Sequence, residues 1–266
     1  MRRSRSEFRM SDEVSLVHDP GVGEGKTACM GKGLFLCVRG RMCAGGSAGF
    51  GAPVLRTGRQ TFFPTLVSFA RTGGQSGELV FSLDRALCWY IAGRRAPARL
   101  TGVSEHLVDV FMRHAAHQAR LLKIHDRVLS FLAAEGRILP VQGVGSCRVS
   151  FRLCGMDINF RMNGSMKAPG RLIALNEADG ESFDLLRTRD RVRQDSRIPA
   201  WEETGFDTEL ESSRLGLGLS LRPEGAGTGS SSLYCGREVG RGLNWAGFAL
   251  AGEQPVLTYR LVVHAL

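Results

Sequence analysis

Six residues in the C-terminal part of the chain carry side chains suited to a sugar or another polar ligand: Asn176, Glu177, Trp201, Arg237, Glu238 and Trp245. An indole stacks on the CH face of a pyranose. Arginine, carboxylate and amide groups hydrogen-bond hydroxyls or an anionic substituent. The same stretch holds carboxylates in close succession, Glu177 with Asp179 and Glu202 with Glu203. Paired carboxylates can act as acid and base at a glycosidic or anomeric carbon. A plainer reading competes: both tryptophans fill the core, and Arg237 and Glu238 make ordinary ion pairs.

Other chemistry has less support. Gly25-Lys26-Thr27 ends like a phosphate-binding loop, but Pro20 stands where the first glycine of that motif belongs. A strand, not a helix, is expected after it, so no helix N-terminus is available to hold phosphate. His106, His114, His117 and His125 share one face of an expected helix, and His114 with His117 has the i, i+3 spacing of a metal pair. No H-E-x-x-H accompanies them, and histidines edging a core are the favoured reading. Seven cysteines contain no C-x-x-C pair, which leaves no zinc ribbon or dithiol redox motif. No G-x-S-x-G marks a hydrolase nucleophile. No metal and no cofactor is expected.

Charge narrows the partners. The chain has 266 residues and a net charge of +9, but only four of its 35 cations are lysine. The arginines are dispersed rather than gathered on one segment, which argues against a nucleic-acid partner. Two denser groups stand out. Arg2, Arg3, Arg5 and Arg9 lie in a polar N-terminal stretch without the apolar core of an export signal. Arg187, Arg189, Arg191 and Arg193 alternate, and an extended chain would put all four on one face, either gripping an anion or guarding an edge strand. The longest apolar run, residues 86–92, is far too short to cross a membrane. Free cysteines and no export signal make a cytoplasmic protein the expectation.

The elements that must position these residues are mostly strands. Residues 33–39, 61–69, 78–83 and 86–92 read as strands, with Pro64 marking a bulge or an edge. Residues 147–153 and 156–162 alternate apolar and polar around Cys154-Gly155, the pattern of a tight hairpin with one buried face. Asn163-Gly164 reads as the next turn. Strands are expected again at 171–176, 215–221, 244–249 and 256–264, with a Gly/Ser-rich loop at 222–232. Between the two groups of strands, residues 104–135 repeat at three and four, with Ser104 as N-cap and Gly136 as terminator.

Strands on both sides of one helical stretch argue against a βαβ repeat. The expectation is a mainly β protein: one large antiparallel β-sandwich over residues 31–266 with a helical insert at about 104–135, preceded by an irregular, flexible tail at 1–30. At the level of architecture this pattern is similar to sugar-binding sandwiches of the mutarotase type, but a fold does not imply a function, and the ligand class rests on the six residues above. The sequence reading is therefore a protein that binds a carbohydrate-like or anionic small molecule. Its alternatives are a carboxylate- or metal-dependent sugar-active enzyme (hydrolase, isomerase or lyase) and an arginine-mediated binder of nucleic acid or an acidic partner. Neither catalysis nor an oligomeric state is specified by any pattern in the chain.

Overall fold

A computed structural model describes residues 5–22, 32–57, 60–96, 127, 131, 134–167, 169–194, 197–224, 231–240 and 243–266. Among them every strand pair is antiparallel. A four-stranded sheet, in the order of the chain, contains β1 (Ser6–Arg9), β2 (Val14–His18), β3 (Phe35–Val38) and β4 (Arg41–Met42). The large sheet takes β5 (Phe50–Arg56), β6 (Thr61–Gly73), β7 (Ser76–Ile91), β8 (Arg94–Arg95), β9 (Ala134–Pro140), β10 (Gly145–Cys154), β11 (Asp157–Met166) and β12 (Arg171–Ala178). It continues through β13 (Leu185–Arg187), β14 (Val192–Arg193), β15 (Arg197–Thr204), β16 (Glu209–Ser212), β17 (Leu217–Pro223), β18 (Ser232–Gly240), β19 (Leu243–Gly252) and β20 (Val256–Ala265). Its path runs β14-β13-β16-β17-β20-β11-β10-β7-β6-β5-β12-β19-β18-β15, with β8 and β9 added on β7.

This long sheet folds over itself into a large antiparallel β-sandwich. Tyr259 on β20 donates to the side chain of Asn176 on β12, six steps away along the path. Phe160 on β11 stacks on Tyr259 with ring centroids 5.1 Å apart. The core forms where alternate apolar residues of both layers meet: Val149, Phe151 and Leu153 of β10, Ile158, Phe160 and Met162 of β11, and Phe248 and Leu250 of β19 are all buried. That is the period of two acting as expected: one face of each strand leaves water, at about 25 cal/mol for each Å² of apolar surface. Gly51 lies at φ +74, and a Cβ there would come within 2.9 Å of the Phe160 ring. Glycine is what lets β5 approach β11 so closely.

The hairpin at Cys154-Gly155 forms as expected, with Cys154 paired to Asp157 and Gly155 at φ +64. Pro64 sits at a register shift in the β6–β7 ladder, where the missing N–H costs no regular bond. Other expectations need correction. Residues 6–18 are not irregular: Phe8, Val14, Leu16 and Val17 are buried, and the first three join the main core. Asn163-Gly164 is not a turn but the continuation of β11, where Asn163 pairs with Arg148 and Gly164 with Cys147. Residues 78–83 and 86–92 are not separate strands, since β7 runs unbroken from Ser76 to Ile91.

The alternating arginines do not share one extended face either. Thr188 N–H donates to the Arg191 carbonyl, turning the chain between β13 and β14. Most of the helical insert expected at 104–135, with its four histidines, lies outside the described residues. Arg127 and Phe131 are helical, but the chain is already strand at Ala134, before the expected terminator Gly136. No helix among the described residues is long and apolar enough to cross a membrane.

Candidate functional site

Strand β12 divides the expected site. Its ladder with β19 is regular, pairing Asn176 with Phe248 and Glu177 with Gly247. Neighbours on a strand point to opposite faces, so Asn176 and Glu177 cannot serve one ligand. Asn176 points into the core. Its Oδ1 accepts from Gly51 N at 3.1 Å and from the Tyr259 hydroxyl at 3.1 Å, while Nδ2 donates to the Ala174 carbonyl at 3.2 Å. Arg237 on β18 is likewise committed inward: Nε donates to the carbonyls of Gly180 at 2.9 Å and Phe183 at 3.1 Å, and Nη1 to that of Gln194. Both side chains are buried and brace backbone of neighbouring segments.

The opposite face keeps the other four residues in one neighbourhood. Glu177, Gly247 and Gly236 lie side by side on β12, β19 and β18, and Trp245 pairs with Glu238 in the next row of that face. A Cβ on Gly236 would touch both the Trp245 ring and the Trp201 backbone. Gly236 thus clears the space into which the indoles fold, while Gly247 makes room for Glu177. Trp201 and Trp245 stack with centroids 4.8 Å apart and ring planes inclined by 23°. Trp245 is buried beneath, and Trp201 and Glu238 are half-buried. Trp201 sits where the register of β15 against β18 shifts, and its φ is +60. A bulky L-residue in that region costs on the order of 1–3 kcal/mol and persists only where surroundings enforce it.

Beside the indoles, Glu177 lies under the glycine-rich stretch 43–51. Its Oε2 accepts from Ala48 N at 2.6 Å, and its own N–H donates to the Gly49 carbonyl at 3.1 Å. Lys32 Nζ donates to the Ser47 carbonyl at 2.7 Å in the same loop. Burial pushes the Glu177 carboxyl up to about 7, against the opposing pull of the Ala48 N–H and the Lys32 charge. The glycines hold this loop where side chains would collide: Gly45 has φ +48, and a Cβ there would come within 2.7 Å of the Asn244 carbonyl. The rest of the face is apolar, built of Ala48, Ala52, Val54, Leu175 and Ala249 with Ile173, Phe63, Trp201 and Tyr234 around them.

Nucleophilic and metal chemistry find little material. Burial pushes the thiols of Cys43 up to about 11 and of Cys147 and Cys235 up to about 12, so none of these three is a ready thiolate. Among the described residues no group of three His, Cys, Asp or Glu side chains is arranged to hold a metal ion. The arginine run is occupied at both ends: Arg187 pairs with Glu211, and Arg193 Nη1 with Glu202 at 2.8 Å. Tyr234, Ala48 and Lys32 belong to the same neighbourhood as the indoles and were not singled out from sequence. The parity of 173, 175 and 177 on one strand was the available signal for the face, whereas the Lys32 and Ala48 contacts depend on a distant loop. No protein-family model and no curated protein matches the sequence. Among solved structures the chain is similar to a putative aldose 1-epimerase from Escherichia coli K12, at 9% identity and a TM-score of 0.42, over 99% of this chain and 100% of that one.

Proposed function

We propose that the chain binds a carbohydrate on the face of β12, β19, β18 and β15 that bears the two indoles. The observation that carries this reading is Trp201: an aromatic residue held at positive φ on a sheet edge, its ring stacked on Trp245 and the residue half-buried. A backed indole is a rigid platform whose free side suits the CH face of a sugar. Glu238, in register with Trp245, supplies acceptors for hydroxyls beside it. Asn176 and Arg237 serve the scaffold instead. The test is titration of the full chain with neutral and acidic oligosaccharides, followed by tryptophan fluorescence. Binding that Trp201→Ala abolishes supports the reading. A panel without response, or affinity indifferent to that substitution, rejects it.

A second reading, acid–base catalysis on the bound sugar, is favoured by Glu177. A carboxyl that titrates near 7 is present in both protonation states at neutral pH, as proton transfer at an anomeric carbon requires. Anomerisation of reducing sugars followed by polarimetry tests it. Catalysis should follow a pH profile with an inflection near 7 that Glu177→Gln removes. A rate no faster than buffer eliminates it.

A further inference from the structure

The indole face ends on the edge strand β15, where the charge runs against that of the whole chain. From Ile198 to Ser213 the sequence holds Glu202, Glu203, Asp207, Glu209 and Glu211 with no lysine or arginine, in a molecule of net charge +9. Glu202 takes Arg193 Nη1 at 2.8 Å, Glu211 pairs with Arg187, and Glu209 lies 3.8 Å from His264 Nε2. Asp207 sits in the turn after β15. Glu203 stands apart from these. It pairs with Tyr234 in the ladder, so strand alternation puts its side chain on the face of Tyr234, Gly236 and Glu238, while Glu202 turns to the other face. Glu203 is exposed, and among the described residues no cation stands within ion-pair distance of it.

Its neighbours on that face are aromatic. The Trp201 backbone crosses above Gly236, one pleat of β18 away from Tyr234 and the row of Glu203. That step is about 7 Å along the strand. A carboxylate at such a distance from an indole is the pairing that recognises an ammonium group: the ring face attracts the cation and the carboxylate accepts its N–H. The other carboxylates of the face have cations at hand, since the Lys32 charge acts on Glu177 and Arg197 is in register with Glu238. We infer that Glu203 makes the indole face selective for an amino sugar, taking the ammonium group of a glucosamine-type unit whose ring lies on Trp201. This rests on the carbohydrate reading above and names its substrate class. A neutral sugar leaves the Glu203 carboxylate to water. An acidic one meets Glu203 and Glu238 in the rows on either side of Gly236. An amine beside the stacked ring carbons meets the indole and the carboxylate together.

The test titrates the full chain calorimetrically with the glucosamine tetramer, in mildly acidic buffer where its amines are protonated, with the N-acetylated tetramer and with cellotetraose. The wild type should bind the glucosamine tetramer about tenfold more tightly than either neutral tetramer at low salt, the order expected of a charge-assisted hydrogen bond, and the preference should shrink as salt is raised. Glu203→Gln should bring the charged and N-acetylated tetramers to the same affinity, and Glu203→Asp should keep part of the preference. Trp201→Ala should weaken all the tetramers. Neutral tetramers bound as tightly as the glucosamine tetramer, or a preference that survives Glu203→Gln, overturns the inference and leaves the carbohydrate reading standing. Spermidine, which carries ammonium groups without a ring, should displace the glucosamine tetramer only in large excess; displacement at equal concentration also overturns the inference. Failure of every tetramer to bind the wild type overturns both readings. Should Glu203→Gln fail to fold, the salt dependence of the wild type decides alone: equal dependence for the charged and neutral tetramers overturns the inference.

Discussion

Asn176 and Glu177 are adjacent on one strand, both buried, and live under opposite conditions. The amide on the core side has a partner for each of the groups that face it. The carboxyl on the other side has one N–H and a nearby lysine, and remains costly to ionise. A neutral polar group can be made at home in a sandwich by three hydrogen bonds, whereas a charge needs more than burial allows. Scaffold and candidate site are thus separated by a single step along β12.

The largest effect should come from the core side. Asn176→Ala leaves the Gly51 N–H and the Tyr259 hydroxyl without an acceptor, each worth about 1–3 kcal/mol, and a loss of roughly 3–5 kcal/mol is expected in chemical denaturation at unchanged m. A loss below 1 kcal/mol would dissolve the contrast. Glu177 comes next. Its folded value of about 7 exceeds the unfolded 4.5, so the native state holds its proton more tightly. Its contribution is fully present below 4.5 and is lost as pH rises through 7, by roughly 3 kcal/mol in all. Glu177→Gln keeps an acceptor for Ala48 and should flatten that slope, leaving the variant more stable than wild type above pH 7. Stability curves with the same slope in both proteins would show that the carboxyl is solvated after all.

Smaller effects lie farther from β12. Trp201→Ala removes a ring contact worth about 0.5–1.5 kcal/mol beyond area burial. It should also erase the exciton couplet of the paired indoles in near-ultraviolet circular dichroism, as should Trp245→Ala. A couplet surviving either substitution would place the rings apart. Arg148, paired with Glu78 on the solvent side of β10, is the control. Its replacement by alanine should change stability by less than about 0.5 kcal/mol, as exposed pairs do.

Much of the sandwich is legible in the sequence because its central strands have one wet and one dry face. Residues 147–162 alternate cleanly, and β10 and β11 follow. Strand β18 escaped because Cys235, Gly236 and Arg237 are all buried, which erases alternation. Strands β1 and β2 escaped because they are short and owe their burial to residues far along the chain, such as Phe151 against Phe8. At the candidate site, residue type singled out six positions, and strand parity alone was enough to part Asn176 from Glu177. The stack of Trp201 on Trp245 had no local signal, since a bulge and a positive φ bring it about.

The two ends of the long strand path, β14 and β15, come within reach of each other: Arg193 of β14 pairs with Glu202 of β15, and Arg237 of β18 donates to the Gln194 carbonyl just past β14. Among the described residues no ladder bond joins them. The molecule is therefore a ribbon rolled until its margins touch, joined there by the short connection from Arg193 to Arg197 and by side-chain contacts rather than by a ladder. Such a seam is where local breathing starts, because opening it breaks no strand pairing. Amides along β14 and β15 should exchange with solvent well before those of β10 and β11. Trp201 stands on that margin, so a ligand resting on its ring would also act as a clasp across the opening.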